Sequence, residues 1–213
     1  MIDLSLYLVT DRGLSQGRST VNVVRAAVRG GVTCVQLREK HCSAREFIAE
    51  ARAVKELLDS LETRVPLIIN DRIDIALAVD ADGVHIGQSD MPLADARRLV
   101  GQSMIIGVSA ESVEDAVRAE AEGADYLGVS PIFATPTKTD TAPPLGMDGV
   151  RSIRAAVSLP LVGIGGIHAG NAAAVIRAGA DGVAVVSAIV SAGCPKSAAI
   201  DLKHQILTAK QQG

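Results

Sequence analysis

Short apolar runs, rich in β-branched residues, alternate along the chain with Ala-rich stretches in which apolar residues recur at helical spacing. The first kind of run predicts strands, and the second predicts helices. Because the strand-like runs are apolar at every position, they are typical of a parallel sheet buried on both faces. The predicted strands span residues 4–10, 34–37, 67–69, 83–86, 104–108, 126–129, 161–164 and 183–186. The clearest predicted helices span residues 44–61, 112–121, 149–156 and 171–178.

Four similar turns indicate a repeated unit. Segments 30–33, 81–84, 123–126 and 179–182 read Gly-Gly-Val-Thr, Ala-Asp-Gly-Val, Gly-Ala-Asp-Tyr and Gly-Ala-Asp-Gly, and each leads into a predicted strand. Gly there supplies the left-handed residue that ends a helix, and Asp is expected to form hydrogen bonds within its own turn. Eight strands with interleaved helices predict an α/β protein with a (β/α)8 TIM barrel. An open, doubly wound sheet is the alternative, but no Gly-x-Gly-x-x-Gly motif follows the first strand.

Length and composition narrow the class of protein. The 213 residues fit a single domain, taken as residues 1–213. A net charge of −3, two Phe, two Tyr and no Trp argue against a nucleic-acid ligand, which usually needs a basic face and aromatic platforms. No apolar run approaches the roughly 20 residues of a membrane span. The sequence also lacks a signal-peptide pattern, and its three cysteines are odd in number, so free thiols in the cytoplasm are expected.

Carboxylates follow two of the apolar runs, where the strands of a parallel barrel converge on one face. Asp71 follows the third predicted strand, and Asp90 ends the motif His-Ile-Gly-Gln-Ser-Asp after the fourth. Mg²⁺ is usually held by one or two carboxylates, with phosphate oxygens and water completing its coordination. The pair therefore predicts a Mg²⁺ site that also receives an anion. The alternative is that each residue caps a helix, one beginning at Arg72 and the other near Pro92.

Cations follow the second predicted strand, in the motif Gln-Leu-Arg-Glu-Lys. Gln36, Arg38 and Lys40 are two residues apart, so in an extended chain they point to the same side. A focused anion site is one explanation, and a surface ion pair with Glu39 or a nearby acid is the other. Lys138 lies in a hydroxyl-rich stretch of the long irregular segment 132–145, which suits contact with an anion as well as an ordinary loop.

A second anion site is predicted after the seventh and eighth strands, where barrels of this kind often bind a phosphate through backbone N–H groups. Gly165 and Gly166 allow a close approach of the backbone, and Val186 and Ser187 follow the eighth strand. No Ser or Cys has an adjacent base, so nucleophilic catalysis is not indicated. His85, at the end of a strand, is expected to be a hydrogen-bonded packing residue.

These motifs resemble those of the thiamine-phosphate synthase family. The resemblance covers nearly the whole chain, in order, through Tyr-Leu-Val-Thr-Asp-Arg (7–12), Val-Gln-Leu-Arg-Glu-Lys (35–40), Ile-Asn-Asp-Arg (69–72), Gly-Val-His-Ile-Gly-Gln-Ser-Asp (83–90), Thr-Pro-Thr-Lys (135–138) and Gly-Ile-Gly-Gly-Ile (163–167). The family consists of (β/α)8 barrels that join a hydroxymethylpyrimidine diphosphate to a thiazole phosphate and release diphosphate.

The resemblance also implies roles for individual residues. The pyrimidine diphosphate would be bound by Gln36, Leu37, Arg38, Glu39, Lys40, Asn70, Ser109 and Lys138, among which Arg38, Lys40 and Lys138 would be catalytic. Mg²⁺ would be held by Asp71 and Asp90. The thiazole phosphate would be bound by Thr135, Pro136, Thr137, Gly166, Val186 and Ser187. The implied partners are these small molecules, and whether the chain forms a homo-oligomer is left open.

The implied chemistry fits the residue types. Ionisation of the pyrimidine C–O bond leaves a carbocation and a diphosphate, and Mg²⁺ with the cations would stabilise the charge on the diphosphate. The thiazole nitrogen attacks with its own lone pair, so no general base is needed. Three rival functions remain: a thiazole tautomerase of the same fold, a phosphosugar isomerase or aldolase, and a non-catalytic ligand-binding barrel.

Overall fold

The computed structural model describes residues 2–134 and 143–212. Within them, eight parallel strands close into one barrel, in which each strand pairs with the next along the chain and the last pairs with the first. The strands are β1 (Leu6–Val9), β2 (Cys34–Leu37), β3 (Leu67–Asn70), β4 (Gly83–Ile86), β5 (Ile105–Ala110), β6 (Tyr126–Val129), β7 (Leu161–Gly163) and β8 (Gly182–Val185). The closed barrel confirms the TIM-barrel prediction, and the open, doubly wound alternative is wrong.

Helices follow the strands and lie outside the barrel. In the described residues they are α1 (Thr20–Val28), α2 (Ala44–Asp59), α3 (Ile73–Ala78), α4 (Leu93–Val100), α5 (Val113–Ala121), α6 (Gly146–Ala156), α7 (Ala172–Arg177), α8 (Ser187–Val190) and α9 (Pro195–Gln211), with a short 3-10 helix at Arg12–Leu14. The hydroxyls of Ser19, Ser43 and Ser112 accept the first free N–H groups of α1, α2 and α5, which fixes where these helices begin. None of the helices in the described part of the chain is long and apolar enough to cross a membrane.

The core has an outer layer and an inner layer. Leu6 and Leu8 of β1 pack outward against the helices, whereas Tyr7 and Val9 of the same strand belong to the cluster inside the barrel. Successive side chains of a strand point to opposite faces, and here both faces are buried. This explains why the strand sequences are apolar at every position.

The four repeated turns lie at the amino-terminal end of the barrel. Three of them contain a glycine with a left-handed backbone, with φ of 101° at Gly31, 90° at Gly123 and 111° at Gly179, whereas at the fourth the left-handed residue is Asp80, with φ of 50°, just before segment 81–84. Gly adopts this conformation without steric cost, and Asp tolerates it better than most side chains. The prediction that Gly supplies the left-handed residue is therefore confirmed at three repeats and wrong at segment 81–84, where Gly83 begins β4.

The Asp residues of these turns have hydrogen-bond partners that were not predicted from the sequence. Instead of bonding within the turn, their carboxylates accept an N–H from the start of the preceding strand. Asp82 accepts from Leu67 of β3 at 2.9 Å, and Asp125 accepts from Ile106 of β5 at 2.7 Å. Asp181 accepts in the same way from Leu161 of β7 at 2.8 Å, and the hydroxyl of Thr33 accepts from Leu6 of β1 at 3.1 Å.

Each of the three carboxylates also accepts a hydrogen bond from an arginine. The pairs are Arg64–Asp82, Arg97–Asp125 and Arg154–Asp181. These three clamps, at the starts of β3, β5 and β7, tie neighbouring βα units together at the end of the barrel opposite the polar motifs. The polar motifs and the turns thus separate onto two faces, as expected for this fold.

We predict that Asp82→Ala lowers the free energy of unfolding by about 1–3 kcal/mol, because the N–H of Leu67 loses its acceptor in a part-buried place. The side chain of Asp82 is only 13% exposed. Urea unfolding followed by circular dichroism measures the change. Asp148→Ala is the matched control, since that carboxylate is 96% exposed and pairs with Arg151 at the surface. It should change stability by less than about 0.5 kcal/mol, and equal losses in both variants would contradict the role of the clamp.

Candidate active site

A cavity of about 450 Å³ opens at the carboxyl ends of the strands. Ten of the sixteen residues to which the resemblance gives a role line it: Gln36, Arg38, Lys40, Asn70, Asp71, Asp90, Ser109, Gly166, Val186 and Ser187. Thr135, Pro136, Thr137 and Lys138 lie outside the described residues. Leu37 and Glu39 are not among the residues that line the cavity.

Strand β2 explains this division. Gln36, Arg38 and Lys40 are at alternate positions and face the cavity, which confirms that they share one side. Leu37 is fully buried in the outer layer of the core. The side chain of Glu39 is only 6% exposed. It lies beside Arg12, a residue of the segment that follows β1.

Both cations at the mouth have a carboxylate partner. The Nζ of Lys40 lies 2.5 Å from the Oδ2 of Asp71, and the Nη1 of Arg38 lies 3.4 Å from the Oδ2 of Asp11. The ion pairs considered as an alternative are thus present, but they cross the mouth between different strand ends. Their side chains are 45% exposed for Lys40 and 23% exposed for Arg38, so both cations can still meet a ligand.

Asp71 and Asp90 both line the mouth of the cavity, close enough for the charge of Asp71 to act on Asp90. Burial is the main cause that raises the pKa of Asp90, and the like charge of Asp71 raises it further, while a hydrogen bond from the N–H of Gly87 opposes the shift. That hydrogen bond is 2.7 Å long and fixes the carboxylate against its own turn. The backbone of Asp71 is left-handed, with φ of 59°, and its N–H donates to the carbonyl of His85 at 2.8 Å.

Neither carboxylate caps a helix. The residue before α3 is Arg72 and the residue before α4 is Pro92, and neither helix start has a side-chain cap. The helix-cap alternative is therefore wrong for Asp71 and Asp90. In residues 2–134 and 143–212, no group of three or more His, Cys, Asp or Glu could hold a metal ion. Two carboxylates suit Mg²⁺, which takes its remaining ligands from water and phosphate. They suit less well a metal whose ligands all come from the protein.

A chain of hydrogen bonds runs through the floor of the cavity. The Nε2 of Gln36 donates to the hydroxyl of Tyr7 at 3.0 Å, and the hydroxyls of Tyr7 and Tyr126 are 2.9 Å apart. His85 continues the chain, with its Nδ1 3.0 Å from the hydroxyl of Tyr126 and its Nε2 3.0 Å from the Oγ of Ser109. Burial raises the pKa of both tyrosines well above the ordinary value, so both phenols keep their protons.

Neither tyrosine was predicted from the sequence to belong to the site, and His85 was predicted only as a packing residue. His85 is hydrogen-bonded, as predicted, but it also lines the cavity. The available signal was the presence of Gly within apolar strands. A Cβ added to Gly107 would lie 2.0 Å from the ring of Tyr126, and one added to Gly128 would lie 2.9 Å from the ring of His85. These glycines make room for the two rings.

The glycine-rich loop after β7 packs against the segment that follows β6. Gly165 and Gly166 have φ of 104° and 63°, and a Cβ on Gly166 would lie 2.8 Å from the carbonyl oxygen of Ala134. The carbonyl of Gly165 accepts from the N–H of Phe133 at 3.1 Å. The glycines therefore let the backbone of this loop approach the segment immediately before residues 135–142. They also line the cavity.

Comparisons with known proteins agree with the geometry. Residues 6–189 match the model of a family described as thiamine monophosphate synthase. A thiamine-phosphate synthase of Albidiferax ferrireducens is 58% identical over 203 residues, covering 95% of this chain and 92% of that protein. One of Chloroflexus aurantiacus is 55% identical over 212 residues, covering 100% of this chain and 97% of that protein.

Solved structures show the same barrel. A thiamine phosphate pyrophosphorylase from Pyrococcus furiosus superposes with a TM-score of 0.89 at 38% identity, covering 97% of each chain. A 3-hexulose-6-phosphate synthase superposes with a TM-score of 0.72 at 18% identity, covering 95% of this chain and 99% of that one. The second likeness shows the fold alone.

Proposed function

The chain belongs to the thiamine monophosphate synthase family, and from that premise we propose how its cavity works. A pyrimidine diphosphate binds with Mg²⁺ between the ends of β2, β3 and β4, a thiazole phosphate binds beside β7 and β8, and the two join to give thiamine phosphate and diphosphate. The observation that carries the proposal is the meeting of Arg38 and Lys40 with Asp71 and Asp90 at one end of the cavity.

The two carboxylates fit Mg²⁺ on the chemistry of their donors. Asp71 and Asp90 are close enough for the charge of one to raise the pKa of the other, and a divalent cation would relieve that repulsion. When bound, the ion would neutralise part of the diphosphate charge and supply a Lewis acid. Lys40 already lies against Asp71, so the cation and the metal ligand would act on the same phosphate group.

Arg38 and Lys40 stabilise the leaving group. As the pyrimidine C–O bond breaks, its electron pair goes to the diphosphate oxygen, and the charge that develops there faces both cations. Their ion pairs with Asp11 and Asp71 hold them near the required positions before the substrate arrives. Lys138, which lies outside the described residues, is proposed as a third cation.

The hydrogen-bonded floor orients the pyrimidine. Gln36 and Ser109 stand at the two ends of the chain that passes through the tyrosines and His85. Because every link is made inside the barrel, the amide and the hydroxyl have little freedom to rotate when they meet the ring. Asn70, at the end of β3, lines the same wall and adds a second amide.

The thiazole phosphate binds on the other side of the mouth, at Gly166, Val186 and Ser187, with Thr135, Pro136 and Thr137. Gly166 and Ser187 line the cavity from neighbouring strand ends, and backbone N–H groups there can face an anion. The thiazole nitrogen then forms the new C–N bond with its own lone pair, so the reaction needs no proton acceptor from the chain.

The setting proposed for this chemistry is the cytoplasm. Cys34, Cys42 and Cys194 are free thiols, as expected in a reducing compartment. The net charge of −3 also supports small anionic substrates held by a local cation cluster rather than nucleic acid.

One assay tests the proposed function. The purified protein is mixed with the pyrimidine diphosphate, the thiazole phosphate and Mg²⁺, and thiamine phosphate and diphosphate are measured in equal amounts as expected products. Omission of any one component is the control. A protein that interconverts thiazole phosphate tautomers but forms no thiamine phosphate would contradict the proposal and favour the tautomerase.

We predict that Asp71→Asn and Asp90→Asn each raise the Mg²⁺ concentration for half-maximal activity by at least about tenfold, because a carboxylate ligand is lost. Magnesium titration of the initial rate measures this. Asp74→Asn is the matched control, since Asp74 is 64% exposed and pairs with Arg72 outside the cavity. If all three variants keep the titration curve of the parent protein, the assignment of Asp71 and Asp90 to the metal is wrong.

We predict that Gly166→Ala raises the KM for the thiazole phosphate by roughly fivefold or more, since a left-handed non-glycine residue costs about 1–2 kcal/mol. Its Cβ would also push on Ala134, next to the proposed Thr135–Thr137 contacts. The KM for the pyrimidine diphosphate should change far less. Gly193→Ala is the control, because a Cβ there meets nothing within 4 Å. Equal changes in both KM values would contradict two separate anion sites.

A further inference from the structure

Glu39 is a buried carboxyl group that the proposed chemistry does not use. Its side chain is 6% exposed, and its Oε1 is buried with no hydrogen-bond donor among the described residues. Its Oε2 lies 3.6 Å from the Nε of Arg12, and the Nη2 of Arg12 lies 2.8 Å from the Oε2 of Glu50. The group thus joins the segment after β1, the segment after β2 and helix α2.

Glu39 and Glu50 both contact the guanidinium of Arg12, so their carboxyl groups lie close together, and a hydrogen bond with Glu50 is among the causes that raise the pKa of Glu39. Two carboxyl groups adopt this arrangement when one of them carries a proton, because two carboxylates would repel each other. A proton on Glu39, donated to Glu50, accounts for the oxygen that receives no donor. Glu50 meanwhile accepts the hydrogen bond from Arg12.

Burial and the surrounding charges together favour the neutral form of Glu39. Burial is the main cause that raises the pKa of Glu39 to about 7, followed by the charge of Glu50, and Arg12 opposes the shift only in part. The charge of Asp11, from the segment after β1, raises it further. The charged and titratable groups around this cluster are Asp11, Arg12, Cys42, Glu46 and Glu50.

The position of Glu39 in the chain connects this cluster to the cavity. Its two neighbours are Arg38 and Lys40, whose side chains point the opposite way and line the cavity. The N–H of Arg38 is itself held by the Oγ1 of Thr10 at 3.0 Å. Whatever holds Glu39 against α2 therefore also holds the backbone that carries both cations.

We propose that Glu39 is a positioning residue that, as a neutral acid bonded to Glu50, anchors the segment after β2 so that Arg38 and Lys40 face the diphosphate. This inference rests on the proposed function, in which those two cations bind the diphosphate. Ionisation of Glu39 breaks the bond to Glu50 and places a second negative charge behind the cations. Both effects weaken the hold on the anionic substrate.

The expected pH dependence follows from the sign of the shift. The pKa of Glu39 is higher in the folded protein than its ordinary value, so the stability it contributes is fully present below that ordinary value. It is lost as the pH rises to about 7. Glu39→Gln keeps a donor for Glu50 and cannot ionise. The difference in urea midpoint between this variant and the parent protein should therefore shift in favour of the variant from about pH 5 to about pH 8.

The decisive measurement is the pH profile of kcat/KM for the pyrimidine diphosphate, with each protein normalised to its own value at about pH 6. The parent protein should lose about threefold to tenfold across neutral pH relative to Glu39→Gln, as expected for one added charge near the site. The ionisation of the substrate is common to both proteins and cancels in this comparison. The KM for the thiazole phosphate should show no such difference.

Two further variants separate positioning from general damage. Glu50→Gln removes the like charge beside Glu39 and leaves Arg12 to pair with Glu39 alone, so the midpoint of the decline should move about one pH unit or more to lower pH. Glu46→Gln is the matched control, because Glu46 caps the same helix at the surface and its pKa is lowered by hydrogen bonds with Ser43. Its normalised profile should match that of the parent protein.

The outcomes distinguish this inference from the proposed function. If the parent protein makes thiamine phosphate but its profile coincides with that of Glu39→Gln, the role of Glu39 is overturned and the function stands. A decline that Glu50→Gln leaves in place also overturns it, even if Glu39→Gln folds poorly. If no thiamine phosphate forms at any pH, the proposed function is wrong. The role of Glu39 is then wrong as well, because it requires that Arg38 and Lys40 bind a diphosphate.

Discussion

Closure of the parallel sheet is the constraint on which the rest of this protein depends. Eight short strands have no free edge, so every strand is hydrogen-bonded on both sides and faces apolar residues on both surfaces. Closure also brings the eight carboxyl ends together in one ring. Residues that are far apart in the chain, such as Arg38 and Asp90, therefore line one small cavity. The clamps at the opposite end hold the units that make this ring.

The features predicted correctly from the sequence are those in which neighbouring residues determine the outcome. Apolar runs set the strands, and the two-residue spacing of Gln36, Arg38 and Lys40 placed them on one side of β2. Gly at the turns set the left-handed backbone at three of the four repeats, and Asp80 takes its place at the fourth. These properties belong to the local chain, so a single sequence carries them.

The features that the sequence did not reveal depend on which strands become neighbours. Asp82 bonds to Leu67 rather than to its own turn, because β3 and β4 are adjacent in the closed sheet. Tyr7 and Tyr126 meet across the inside of the barrel, 119 positions apart in sequence. Glu39 looked like one more charge in a polar motif, and only the packing of α2 shows that it is buried beside Glu50. Resemblance to a family supplied ligand roles, but it did not supply these contacts.

The left-handed backbone of Asp71 has a consequence for how this site can change. Its φ of 59° is one that glycine adopts without strain and that most other side chains resist. Stability alone would therefore favour glycine at this position, whereas a carboxylate is needed if the position is to hold a metal. Engineering that selects only for thermal resistance is expected to erode this residue, so it should be kept fixed in any such effort. Asn shares the tolerance of Asp for this backbone, which lets the charge be removed while the turn is kept.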